Sequence, residues 1–131
     1  MTPMTTPKYD GFLPGRHVIE GYGNGGFSFA GMSHRGSILA LPSGISAWDA
    51  VNAEDISIAS LAPVFAEAAG AIEHLLIGTG PHLLPLAAAL RERLREAGIH
   101  GEPMATGAAA RTYSILLAED RRVAAALLAV P

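Results

Sequence analysis

Two short runs of this chain are apolar at every position, and they limit its folds more than any other feature. Leu75-Leu76-Ile77 follows His74 and ends in Gly78-Thr79-Gly80, and Val123-Ala124-Ala125-Ala126-Leu127-Leu128 lies near the other end of the sequence. A strand with one wet face alternates apolar and polar side chains, so a run without alternation belongs to a strand covered on both faces. Both runs predict a sheet held between two layers. In the second, spanning residues 121–130, Val123, Ala125 and Leu127 point one way and Ala124, Ala126 and Leu128 the other, which places the strand centrally in its sheet.

Between the runs, Leu83, Leu86, Leu90, Leu94 and Ala97 recur at helical spacing, with Arg91, Glu92, Arg93, Arg95 and Glu96 on the remaining surface and Gly98 as the cap. An extended segment over 99–104 follows, whose Pro103 suits a sheet edge or a strand end. Strand, helix and strand in about thirty residues make a βαβ crossover. Leu61, Val64, Phe65 and Ala68 predict a further helix over 60–69, and Thr106 is expected to cap another over 107–118.

Upstream, strands are expected at 17–22, 27–30 and 37–41. Asn24-Gly25 supplies the positive φ of a tight hairpin turn, and residues 31–36 form a second turn. Residues 43–52 read as a loop that carries Trp48, whose ring is expected to act as a core lid or to meet a ligand or partner. The expected architecture is α/β: a single three-layer domain over residues 16–131, with a mixed β-sheet, helices packed on it and an N-terminal antiparallel β-meander. Residues 1–15 are expected to form a tail, mobile or ordered against the body or a partner.

Composition narrows the function. A chain of 131 residues buries enough surface for a core without staples. The lack of Cys excludes a disulfide scaffold, thiolate metal sites and a Cys nucleophile, and it suits a cytoplasmic address. Nine basic residues against twelve acidic ones give no electrostatic reason to expect nucleic-acid binding. No apolar stretch approaches the roughly 20 residues of a transmembrane helix, and the first fifteen residues lack the charged and apolar regions of a signal peptide.

Few motifs carry chemistry. Gly21, Gly23 and Gly26 match the glycine spacing of a dinucleotide-binding turn, but Phe27-Ser28-Phe29 alternates like a strand where that motif needs a helix. Gly78-Thr79-Gly80, between a buried strand and a helix, could aim backbone N–H groups at a small anion, although Pro81 and Pro85 delete donors nearby. Alternatively, these glycines only let strand and helix pack closely. Arg111, in Arg111-Thr112-Tyr113-Ser114, must either pair with Glu102, Glu119 or backbone carbonyls, or reach a cavity rim and meet a ligand. The five histidines have no zinc-type spacing, no serine sits in a G-x-S-x-G elbow, and the adjacent Glu54 and Asp55 suit solvent better than acid–base work. Neither metal nor cofactor is expected.

Several segments, in order, resemble one family. They are Ile19-Glu20-Gly21-Tyr22-Gly23 with Gly26-Phe27; Gly36-Ser37-Ile38-Leu39 with Pro42 and Trp48; Leu76-Ile77-Gly78-Thr79-Gly80; Gly98-Ile99 with Glu102-Pro103-Met104; and Ala110-Arg111-Thr112-Tyr113 with Arg122-Val123-Ala124-Ala125-Ala126-Leu127. Together they are similar to the domain-of-unknown-function family that includes mitochondrial respiratory complex I assembly factor 3 and its bacterial and archaeal relatives. The resemblance implies a three-layer α/β fold, no established enzymatic activity and a protein partner. Where that family usually reads Arg-Thr-Tyr-Asn this chain has Ser114, and Ala110 stands where Cys is common.

The favoured expectation is a cytoplasmic, non-enzymatic adaptor or assembly-factor-like protein that serves a respiratory or membrane complex, with homo-oligomerisation left open. The alternative is a small-molecule or anion binding module, or an enzyme. Its pocket would lie between Gly78-Thr79-Gly80 and the helix bearing Arg111 and Tyr113, with Trp48 on a wall.

Overall fold

Strand β9 (Val123–Leu127) is buried at every residue and lies inside a six-stranded sheet, between β5 (Ser37–Leu41) and β7 (His74–Gly78). The computed structural model describes residues 11–131. Beyond β5 the sheet continues through β6 (Gly44–Trp48) to the short edge strand β1 (Phe12–Pro14), and beyond β7 it ends at β8 (His100–Met104). β9 runs antiparallel to β5 and parallel to β7, while β7 and β8 are parallel, so the sheet is mixed. Pro103 sits on the edge strand β8, where a missing N–H costs no ladder bond on the solvent side.

The alternating faces of β9 seed two cores. Ala124 and Ala126 join Leu39, Leu75 and Ile77 under Leu61 and Val64 of helix α1 (Ala62–Phe65) with its N-terminal flank, and under Leu90 and Leu94 of α2 (Ala88–Glu96). Val123, Ala125 and Leu127 join Ile38 and Leu76 under Ala109, Ala110 and Tyr113 of α3 (Thr106–Ala118), with Phe27 and Phe29 alongside. The three layers are α1 and α2, the main sheet, and α3 with a second, three-stranded antiparallel sheet.

That second sheet consists of β2 (Gly21–Gly23), β3 (Gly26–Phe29) and β4 (Met32–Arg35). The first hairpin turns through Asn24 (φ 53°) and Gly25 (φ 80°), as Asn-Gly predicts. The expected third strand, 37–41, belongs instead to the main sheet. A second tight turn through Ala30 (φ 50°) and Gly31 (φ 73°) inserts β4 earlier than the sequence suggested. Alanine seldom adopts a left-handed conformation, so Ala30 gave no turn signal.

Other expected bounds also shift. The expected loop 43–52 contains β6, because Pro42 and Ser43 close a hairpin that pairs Leu41 with Gly44. The helix expected from Leu83 starts only at Ala88, since Pro81 and Pro85 keep the preceding segment from helical hydrogen bonding. The helix expected over 60–69 contracts to one turn. Ala105, not Thr106, takes the N-cap position of α3. Of the expected tail, residues 1–10 lie outside the described residues, and Phe12–Pro14 pairs with β6.

Candidate functional site

The Gly78-Thr79-Gly80 turn ends β7 beside the C-terminal ends of β8 and β9. The Thr79 N–H donates to the Met104 carbonyl at 2.8 Å, and the Gly80 N–H donates to Thr106 Oγ1 at 3.0 Å. The Thr79 hydroxyl donates to the His82 carbonyl at 2.6 Å and accepts the Leu84 N–H at 3.0 Å. Protein partners thus take up the donors of Thr79 and Gly80 that an anion would use. Thr106, fully buried, donates its own hydroxyl hydrogen bond to the Leu128 carbonyl at 2.8 Å. Gly78 is needed for this arrangement: a Cβ there would stand 2.9 Å from Thr106 Oγ1.

Trp48 and Tyr113 lie on opposite faces of the main sheet. Trp48 packs in the α2-side core, and its indole N–H donates to the Ser60 carbonyl at 2.8 Å. Tyr113 packs in the α3-side core. Trp48 ends β6 and Tyr113 lies on α3, far apart in the chain, so a linear reading cannot tell that a sheet intervenes.

Burial pushes the Tyr113 phenol up to about 12, against a smaller opposing effect of the Arg16 charge. The folded state therefore holds this proton more tightly than the unfolded chain, whose phenol titrates near 10. The stability so contributed is complete below pH 10 and is lost as pH rises toward 12, by about 3 kcal/mol in all. Urea midpoints measured from pH 9 to 12 are expected to show this fall in the wild type and a shallower one in Tyr113→Phe. An identical slope in both would show that Tyr113 does not titrate upward.

Arg111 emerges on the exposed side of α3 and makes no ion pair among the described residues, neither with Glu102 nor with Glu119. It borders two hollows. One, of about 500 Å³, brings Arg111 together with Gly80 at the start of α3. The other is an open groove of about 740 Å³ between α3 and residues 18–22. Val18 (42% exposed), Tyr22 (48%) and Ile115 (53%) give this groove apolar walls. Arg111 and Ile115, four residues apart, share one face of the helix.

Two contacts fix the opposite wall. Ser114 Oγ accepts the Ile19 N–H at 2.8 Å and lies 3.3 Å from the Ile19 carbonyl, to which it donates, so its hydroxyl is occupied in pinning backbone. Tyr22 lies over Gly107, where a Cβ would approach within 2.3 Å of the phenol oxygen. No motif in the sequence points to this groove. Its available signal was Val18, Tyr22 and Ile115, apolar side chains without a place in either core.

Among the described residues, no group of three or more His, Asp or Glu is placed to hold a metal ion. His74 and His100, paired across β7 and β8, stack edge to face with ring centroids 5.8 Å apart. Glu73 accepts from Arg122 at 2.8 Å, which holds its carboxyl below the usual range. No helix among the described residues is long and apolar enough to cross a membrane.

The fold and groove define a three-layer α/β domain that presents an apolar trough bordered by Arg111, which has no ion-pair partner among the described residues. The chain belongs to the family described as protein of unknown function (DUF498/DUF598), whose model matches residues 19–128. An uncharacterized protein of Rhodobacter capsulatus is 38% identical over 125 residues, which cover 95% of this chain and 91% of that protein. NADH dehydrogenase [ubiquinone] 1 alpha subcomplex assembly factor 3 of Danio rerio is 36% identical over 87% of this chain. The match spans 65% of that longer protein. Among solved structures, one described as an outer membrane protein from Bartonella henselae is 52% identical, with a TM-score of 0.86 over 90% of this chain and 98% of that one.

Proposed function

We propose that this chain is a non-enzymatic adaptor of the assembly-factor type, which binds a protein partner in the groove between residues 18–22 and α3. One observation carries the reading: Val18, Tyr22 and Ile115 are exposed together along a groove of about 740 Å³. Contiguous apolar surface gains free energy when a partner removes it from water. The relatives named as assembly factor 3 support a partner within a respiratory or membrane complex.

The test is capture of the tagged protein's partners at native expression, from wild-type and Ile115→Asp cells. Ile115 is half exposed, so the substitution spares the core. The expected result is a respiratory or membrane-biogenesis protein in the wild-type capture and its loss in the variant. Absence of any such protein, or equal recovery with the variant, would sink the reading.

A small-molecule or anion binding module is the rival, favoured by the hollow that Gly80 and Arg111 share. A metabolite and anion panel that raises the wild-type melting temperature by several degrees, and not that of Arg111→Met, would put the rival ahead.

A further inference from the structure

We infer that the groove selects a protein segment that presents a carboxylate beside apolar side chains, with Arg111 reading the acid. The inference rests on the partner-binding reading above and gives the partner its chemistry. Arg111 lies on the groove-facing side of α3, with Ile115 one turn further along and Val18 and Tyr22 across from it. Water solvates the guanidinium while the groove is empty. A docked apolar segment would strip that water, and an unpaired guanidinium under a partner is costly.

Among the described residues, no carboxylate pairs with Arg111 to offset the loss. Glu20 is the carboxylate on the groove wall, and its Oε1 accepts the Gly31 N–H at 2.9 Å instead of pairing with Arg111. A partner Asp or Glu would meet the planar fork of the guanidinium with two parallel hydrogen bonds. A basic partner would be repelled and a neutral one would leave the cation unpaired, so the same side chain both admits and rejects. The open trough, walled by apolar side chains on both sides, suits a chain segment better than a free carboxylate, which would leave Val18 and Ile115 uncovered.

A phage-displayed library of random dodecapeptides, panned on the immobilised protein, tests this directly. Enriched sequences are expected to carry Asp or Glu next to apolar residues. The best of them, made as a fluorescent peptide, is expected to bind at least tenfold more weakly when its acid is changed to the amide, and likewise to Arg111→Gln. Arg111→Glu is expected to recover binding of the peptide whose acid is replaced by Lys. Enrichment without acidic bias, indifference to Arg111→Gln, or no enrichment at all overturns the inference. Peptides that lose binding to Ile115→Asp but not to Arg111→Gln would retain the groove as a docking site and remove the acid recognition alone.

Discussion

Replacing Thr106 with valine is expected to lower the unfolding free energy by about 2–4 kcal/mol, although valine has nearly the same shape. The side chain is wholly buried, and its hydroxyl bridges two backbone groups, the Gly80 N–H and the Leu128 carbonyl. Valine leaves both facing a methyl group, and each buried orphan costs about 1–3 kcal/mol. Thr106→Ser keeps the oxygen and is expected to lose about 1 kcal/mol or less, for one methyl group. Urea titrations of the three proteins decide it, read as midpoint shifts at constant slope. A valine variant as stable as the serine one would mean that the hydroxyl does not join the ends of β7 and β9.

Gly26→Ala is expected to cost at least about 3 kcal/mol, through a clash rather than a lost bond. A Cβ on Gly26 would stand 2.0 Å from the His34 carbonyl oxygen, which is backbone and cannot swing aside. Relief requires β4 to leave β3, and β3 carries Phe27 and Phe29 into the α3-side core. Gly25→Ala is the control. Its Cβ meets nothing within 4 Å, and only its φ of +80° opposes it, at about 1–2 kcal/mol. If hydrogen exchange of the β3 and β4 amides is equally fast in both variants, the close approach at Gly26 does not hold the small sheet.

Sequence alone made the interior legible and left the surface largely dark. The apolar runs around Leu76 and Ala125 located β7 and β9 because a two-sided burial pattern has no other economical explanation, and Asn24-Gly25 located a turn because those residues tolerate positive φ. Ala30 hides the next turn and with it β4, so 37–41 reads as the third strand of the meander although it pairs in the main sheet. Of the candidate pocket, Gly80 and Arg111 do meet at one hollow, whereas Trp48 and Tyr113 are separated by the sheet. Spacing along a chain cannot tell which side of a sheet a residue joins until strand order is known. Residues 17–22 read as a strand, yet only Gly21–Gly23 forms one, while Ser114 holds Ile19 and the Glu20 N–H donates to the Ser28 carbonyl.

The central place of β9 also bears on how the chain comes to be folded during synthesis. A nascent polypeptide leaves the ribosome with β1 to β6 first, and the pairings β2-β3 and β5-β6 are local in the chain. The half-sheets β1-β6-β5 and β7-β8 have no hydrogen-bonded junction until β9, last of the described strands, arrives between them. Until then Ile38, Leu39 and the Leu75-Leu76-Ile77 run stay open to chaperones and to other nascent chains. A chain cut before residue 123 would lack the strand that joins the two halves, and so would present two unfinished sheet edges instead of a shorter domain.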